Sequence, residues 1–140
     1  MPSKLPKPET LMLIDDSRFD RLIISRTIEH TKIFSRIIVF PGGKEALVYI
    51  IENINTANKL PQLILLDIQM PEMNGFEFME QFDGLPPSFK NSCKVAMLSS
   101  TDDLSDIARV GADKNIIHLL KKPLHPSELV ILLNENYEMQ

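Results

Sequence analysis

The chain has 140 residues, a length typical of one compact domain, because folding at that size buries roughly 68–70% of the unfolded surface. Its formal net charge of −4 argues against broad attraction to nucleic-acid phosphates, so direct nucleic-acid binding is not expected. Cys93 is the only cysteine, which excludes an internal disulfide and a thiolate metal cage.

The first half of the chain contains three short, unbroken apolar runs, at 11–14, 37–40 and 63–66. Runs of this kind are typical of parallel strands that are covered on both faces. Between them, apolar residues recur at helical spacing in 17–30, with Ser17 as the cap, and in 46–54. The apolar side of the first helix is predicted to consist of Leu22, Ile23, Thr27 and Ile28.

The second half continues the alternation. Two further strands are predicted at 95–98 and 116–120, and helices are predicted at 76–82, 102–113 and 127–137. The stretch 83–92 contains glycine and prolines and is predicted to be an irregular surface loop. Five strand–helix units predict an α/β fold, with a parallel sheet, right-handed crossovers and helices on both faces. We expect one domain over 11–140, preceded by a flexible lead-in at 1–10.

Polar side chains follow the predicted strands at their carboxyl ends, where open α/β sheets bind ligands. They are Asp15 and Asp16 after the first strand, Asp67 after the third, Ser99 after the fourth and Lys122 after the fifth. Three carboxylates, one hydroxyl and one ammonium would therefore meet on one rim of the sheet.

A group of three carboxylates is tolerable only if a cation neutralises it, and oxygen ligands favour Mg²⁺. Such a site leaves room for a phosphoryl group. Asp67 is the natural nucleophile, because an aspartate can form an acyl phosphate. Ser99 could donate a hydrogen bond to the new phosphoryl oxygens, and Lys122 could pair with another of them.

Four motifs support this interpretation. They are Ile14-Asp15-Asp16-Ser17, Leu65-Leu66-Asp67-Ile68-Gln69-Met70-Pro71-Glu72-Met73-Asn74-Gly75, Val95-Ala96-Met97-Leu98-Ser99-Ser100 and Lys122-Pro123. Together they resemble the receiver domains of two-component response regulators over about residues 11–137. The resemblance implies a flavodoxin-like, doubly wound (βα)5 fold with strand order 2-1-3-4-5.

The resemblance also implies roles for the site residues. Asp67 would be the phosphoacceptor and a Mg²⁺ ligand, and Asp16 a direct ligand. Asp15 would bind the ion mainly through water, and the backbone carbonyl of Gln69 would be a further ligand.

Other implied features concern the switch. Ser99 would be the switch hydroxyl and Lys122 the family's lysine, followed by a cis bond to Pro123. The family usually has an aromatic residue three positions before the lysine, where this chain has Leu119. Gln69 and Thr101 occupy the positions that tune the lifetime of the acyl phosphate.

The expected function is a stand-alone cytoplasmic switch that is not an enzyme and does not bind a membrane. It would take phosphate from a sensor histidine kinase or histidine phosphotransfer protein, and then act on a downstream protein or pass the phosphate along a relay. Because the chain ends at Gln140, directly after the last helix, we expect no attached output domain.

Two alternatives remain open. A Mg²⁺-dependent phosphatase with an aspartyl-phosphate intermediate usually has a second acid two residues after its nucleophile, where this chain has Gln69. A phosphorylation-independent binding module would not need the full set of polar residues at the strand ends.

Overall fold

A computed structural model describes residues 4–100 and 103–140. Its centre is a five-stranded parallel sheet with the order β2-β1-β3-β4-β5. The strands are β1 (Thr10–Ile14), β2 (Arg36–Phe40), β3 (Leu63–Asp67), β4 (Lys94–Ser99) and β5 (Ile116–Lys121). The predicted flavodoxin-like fold and strand order 2-1-3-4-5 are confirmed.

Helices cover both faces of the sheet and bury two separate cores. The helices are α1 (Arg18–Thr31), α2 (Gly43–Glu52), α3 (Gly75–Asp83), α4 (Pro87–Lys90), α5 (Leu104–Ala112) and α6 (Pro126–Asn136), with a 3-10 turn at Ala57–Lys59. Met12 and Ile14 belong to the core under α2 to α5, and Leu11 and Leu13 belong to the core under α1 and α6. Successive strand residues point to opposite faces, so a strand buried on both needs an unbroken apolar run. None of the helices in the described ranges could cross a lipid bilayer.

The predicted surface loop at 83–92 is wrong in part. It contains the short helix α4, which starts with Pro87 at its first position. Phe89 on this helix is buried and meets the ring of Phe82 edge-on, with 5.8 Å between ring centroids. A single helical turn is too short to show a period, which leaves Pro87 and Phe89 as its signals in the sequence.

The predicted apolar side of α1 is also shifted. Ile24 and Ile28 are buried, whereas Leu22 is 50% exposed and Ile23 is 42% exposed. When only a narrow side of a helix contacts the sheet, a single row of residues spaced four apart is enough to cover that contact. In α2, Ile51 likewise faces outward, although it is one of the apolar residues that recur at helical spacing in 46–54.

Residues before β1 pair with the end of the chain. Leu5 pairs with the last helix: its backbone N–H donates to the Asn136 carbonyl at 3.0 Å, and its own carbonyl accepts from Glu138 at 2.7 Å. The division into a lead-in at 1–10 and a domain at 11–140 stays a prediction.

The predicted helix start at Asp102 lies outside the described residues, and α5 is capped by the side chain of Asp103.

The loop after β3 turns tightly at Gly75. The Gly75 N–H donates to the Ile68 carbonyl at 2.8 Å. A Cβ atom at Gly75 would lie 2.9 Å from the Asp67 carbonyl oxygen and 3.0 Å from the Ile68 Cα. Only glycine therefore lets α3 start this close to the strand end that carries Asp67.

We expect Gly75→Ala to lower the free energy of unfolding by about 1–3 kcal/mol, because the added methyl group would clash with the backbone of Asp67 and Ile68. Gly111→Ala is the matched control, since nothing lies within 4 Å of a Cβ at that helical position. The control should be neutral or slightly stabilising in urea unfolding. Equal stabilities for the two variants would contradict the steric argument.

Candidate functional site

Carboxylates from two neighbouring strands meet at one edge of the sheet. Ile14 of β1 pairs with Leu66 of β3, so Asp15 and Asp67 follow side by side. Asp15 is fully buried and Asp67 is 6% exposed, whereas Asp16 is exposed. Carboxylate oxygens of the three residues lie within 4.8 Å of one another. The sequence pattern thus correctly indicated that these side chains lie together.

The ammonium group of Lys122 lies among the carboxylates. Its Nζ is 2.7 Å from Asp15 Oδ2, 2.9 Å from Asp20 Oδ2 and 3.6 Å from Asp67 Oδ2. The Lys122 backbone N–H donates to the Ser99 carbonyl at 2.8 Å, which fixes the end of β5 beside β4. The peptide bond to Pro123 is cis, as the resemblance implied.

Sequence reasoning missed Asp20. It lies in the first turn of α1, and helical side chains tilt toward the helix N-terminus, so Asp20 is directed back toward the strand end. Its position in the first helical turn was visible in the sequence. Its partner Lys122 was not, because 102 residues separate the two along the chain.

Asp15 is held from several directions. Its Oδ1 accepts a hydrogen bond from the Ser17 N–H at 2.9 Å, and its Oδ2 accepts from Lys122. Its backbone carbonyl accepts from the Arg21 guanidinium at 2.8 Å. A buried carboxylate needs such partners to remain charged.

The charges in this pocket do not balance. Burial, together with the negative charge of Asp15, raises the pKa of Asp67 from 3.8 to about 7. The Lys122 charge and a hydrogen bond from the Gln69 backbone oppose this rise, and Asp16 adds to it. Burial acts to lower the pKa of Lys122, but its hydrogen bonds to Asp15 and Asp20 and the nearby carboxylate charges raise it overall. Lys122 is therefore a permanent cation that only partly neutralises the carboxylates.

The remaining predicted residues lie around the pocket. Ser99 is buried at the end of β4, next in register to the pair formed by Asp67 and Leu98. Gln69 is exposed, and its carbonyl as a metal ligand stays a prediction. Thr101 lies outside the described residues. Leu119 packs, half-buried, against the core under α2 to α5.

The donor set fits a hard divalent cation. Asp15, Asp16 and Asp67 supply carboxylate oxygens close enough to share one ion. Burial, together with the negative charge of Asp15, raises the pKa of Asp67, so a bound cation would stabilise its charged form. Mg²⁺ prefers oxygen ligands of this kind and binds through few carboxylates, so these residues could hold it.

We expect Asp67→Asn to stabilise the metal-free protein by about 1–2 kcal/mol at about pH 8, because it removes a poorly neutralised buried charge. The native state holds the Asp67 proton more tightly than the unfolded chain does. Wild-type stability from this group is therefore present at low pH and is lost as the pH rises through about 7. Urea unfolding with EDTA at several pH values measures the difference, which should shrink toward about pH 4.

Asp83→Asn serves as the control, because Asp83 is exposed and its ion pair with Lys90 is a surface one. Its effect should be small at every pH. If Asp67→Asn were no more stable than wild type in EDTA above neutral pH, the charge imbalance would be refuted.

Comparison with known proteins agrees with this geometry. The family model described as "Response regulator receiver domain" matches residues 11–134. The two-component response regulator ORR3 of rice (Oryza sativa) is 30% identical over 131 residues, covering 93% of this chain and 92% of the relative. A two-component response regulator from Cytophaga hutchinsonii has a TM-score of 0.85 at 29% identity, covering 92% of this chain and 96% of the other. A receiver protein from Dyadobacter fermentans has a TM-score of 0.79 at 33% identity, covering 91% and 96%. The chain therefore belongs to the response regulator receiver domain family.

Proposed function

We propose that this chain is a cytoplasmic signalling switch that accepts a phosphoryl group on Asp67. The phosphodonor is a sensor histidine kinase or a histidine phosphotransfer protein. The observation that carries the proposal is the position of Asp67, buried at a strand end with Lys122 Nζ 3.6 Å from its carboxylate. Neighbouring carboxylates of Asp15 and Asp16 complete a site suited to a divalent ion.

The reaction is a transfer between two nucleophiles. A carboxylate oxygen of Asp67 forms a bond to phosphorus as the P–N bond of a phosphohistidine breaks. The electron pair stays on the imidazole nitrogen, which leaves as neutral imidazole when the other ring nitrogen carries a proton. Lys122 donates to a phosphoryl oxygen, and Ser99 donates to another.

Mg²⁺ is the proposed cofactor. Asp16 and Asp67 would hold it directly, Asp15 mainly through water, and the Gln69 carbonyl would complete the protein ligands. When bound, the ion neutralises charge on the transferred oxygens. The carboxylate oxygens of Asp15, Asp16 and Asp67, within 4.8 Å of one another, support this assignment.

The output is a change in protein binding at α5, β5 and α6. Two large apolar side chains on α5, Leu104 and Ile107, are exposed, as expected of a surface that meets a partner. Leu119 occupies the position of the usual aromatic reporter, so the signal would pass through backbone shifts after Ser99 or through a different reporter residue. The phosphate then alters binding of a downstream protein or is handed along a relay.

An enzymatic role as a phosphatase has less support. The side chain two positions after Asp67 is the exposed amide of Gln69, which cannot act as a general acid. The chain would thus accept phosphate without turning over a metabolite.

Incubation with Mg²⁺ and acetyl phosphate should add one phosphoryl group to the wild type, detected by intact mass. The P–O bond of the donor breaks and acetate leaves. Asp67→Asn should show no gain, because an amide is not a nucleophile here. Lys122→Ala should slow the gain at least about tenfold through loss of a charged donor.

Asp83→Asn is the control and should react at the wild-type rate. A gain that persists in Asp67→Asn would remove Asp67 as the acceptor. No gain in the wild type with either acetyl phosphate or a histidine kinase would refute the proposed function itself.

Mg²⁺ should also stabilise the wild type and raise its melting temperature. At a hundredfold excess over the dissociation constant, the free energy of unfolding should increase by about 2.7 kcal/mol. Asp16→Asn should lose most of this gain while changing the stability in EDTA little, because Asp16 is exposed. A thermal shift series with Mg²⁺ and with Asp83→Asn as control measures both. Equal Mg²⁺ stabilisation of wild type and Asp16→Asn would exclude Asp16 as a ligand.

A further inference from the structure

Asp20 binds the same ammonium group that the proposed function assigns to phosphoryl transfer. Its Oδ2 lies 2.9 Å from Lys122 Nζ, which also contacts Asp15 Oδ2 at 2.7 Å. We propose that Asp20 is a positioning residue, whose carboxylate orients Lys122 so that an N–H is directed toward the phosphoryl group on Asp67. This inference rests on the proposed function.

The backbone of Asp20 is held at the start of α1. Its backbone N–H donates to the hydroxyl of Ser17, the cap of α1, at 3.2 Å. The positive end of the helix dipole favours its negative charge in this first turn. The ion pair therefore joins the start of α1 to the end of β5.

The number of donors explains why two anchors are useful. An ammonium group has three N–H bonds, and Asp15 and Asp20 accept one each. One remains on the side where Asp67 Oδ2 lies at 3.6 Å, which is too far for a hydrogen bond. An oxygen of the transferred phosphoryl group can take this donor without any loss of the other two bonds.

Asp15 alone is a less dependable anchor. Its carboxylate also accepts from Ser17 and belongs to the acidic cluster proposed to hold the metal. Asp20 lies outside that cluster, so its carboxylate serves Lys122 without serving the ion as well. Fixing the direction of a reacting group is worth a substantial rate factor in transfer reactions.

The test compares Asp20→Ala and Asp20→Asn with wild type. Phosphorylation by acetyl phosphate at saturating Mg²⁺ is followed by intact mass, Mg²⁺ affinity by calorimetry, and folding by melting temperature. We expect Asp20→Ala to phosphorylate about tenfold more slowly, while its Mg²⁺ dissociation constant changes by less than about twofold. Asp20→Asn keeps an oxygen acceptor and should recover a large part of the rate.

Glu29→Ala is the matched control, because it removes the same charge from an exposed position further along α1. It should react at the wild-type rate. The inference is overturned if Asp20→Ala reacts within about twofold of wild type, or if Glu29→Ala loses as much. It is also overturned if Asp20→Asn is no faster than Asp20→Ala, or if the loss is explained by weaker Mg²⁺ binding.

Phosphorylation of Asp67 and the positioning role of Asp20 are tested by different outcomes. A wild type that gains no phosphoryl group contradicts the proposed function. A wild type that is phosphorylated on Asp67, alongside an equally fast Asp20→Ala, contradicts only the role of Asp20.

Discussion

The interaction on which the site depends is the contact of one lysine ammonium with three carboxylates. Lys122 lies within 3.6 Å of Asp15, Asp20 and Asp67, and the exposed Asp16 adds a further negative charge nearby. Lys122 alone cannot neutralise these carboxylates, and burial makes each uncompensated charge more costly. Burial, together with the charge of Asp15, raises the pKa of Asp67 to about 7. The carboxylate charge that Lys122 leaves uncompensated favours the binding of a divalent ion at this site.

The fold creates this imbalance and also tolerates it. In the order β2-β1-β3-β4-β5, the chain leaves β1 and β3 toward opposite faces, since α1 packs on one core and α3 on the other. A crevice forms at such a point, and the strand ends deliver their side chains into it. Two apolar cores hold the strands rigidly, so the carboxylates cannot move apart to relieve their repulsion. Gly75 allows the loop after β3 to stay close to Asp67.

How far the sequence predicts this molecule depends on how local each signal is. The strands were predictable because burial on both faces demands unbroken apolar runs, as at 63–66. The meeting of Asp15 and Asp67 followed from parallel strands ending at one edge. The facing of α1 was mispredicted because tertiary packing chose Ile24 over Leu22. Asp20 was missed because its partner is distant along the chain, and such a pair leaves no local pattern.

Whether the carboxylates at the strand ends bind a divalent cation is tested by paramagnetic broadening of amide NMR signals with Mn²⁺, which substitutes for Mg²⁺ at oxygen sites. Excess negative charge at the strand ends predicts that trace Mn²⁺ first broadens the amides of Asp16, Ile68 and Ser100. Added Mg²⁺ should reverse the effect by competition. Broadening that instead centres on exposed acids elsewhere, such as Asp83 or Glu135, would show that the carboxylates at the strand ends do not bind a divalent cation preferentially.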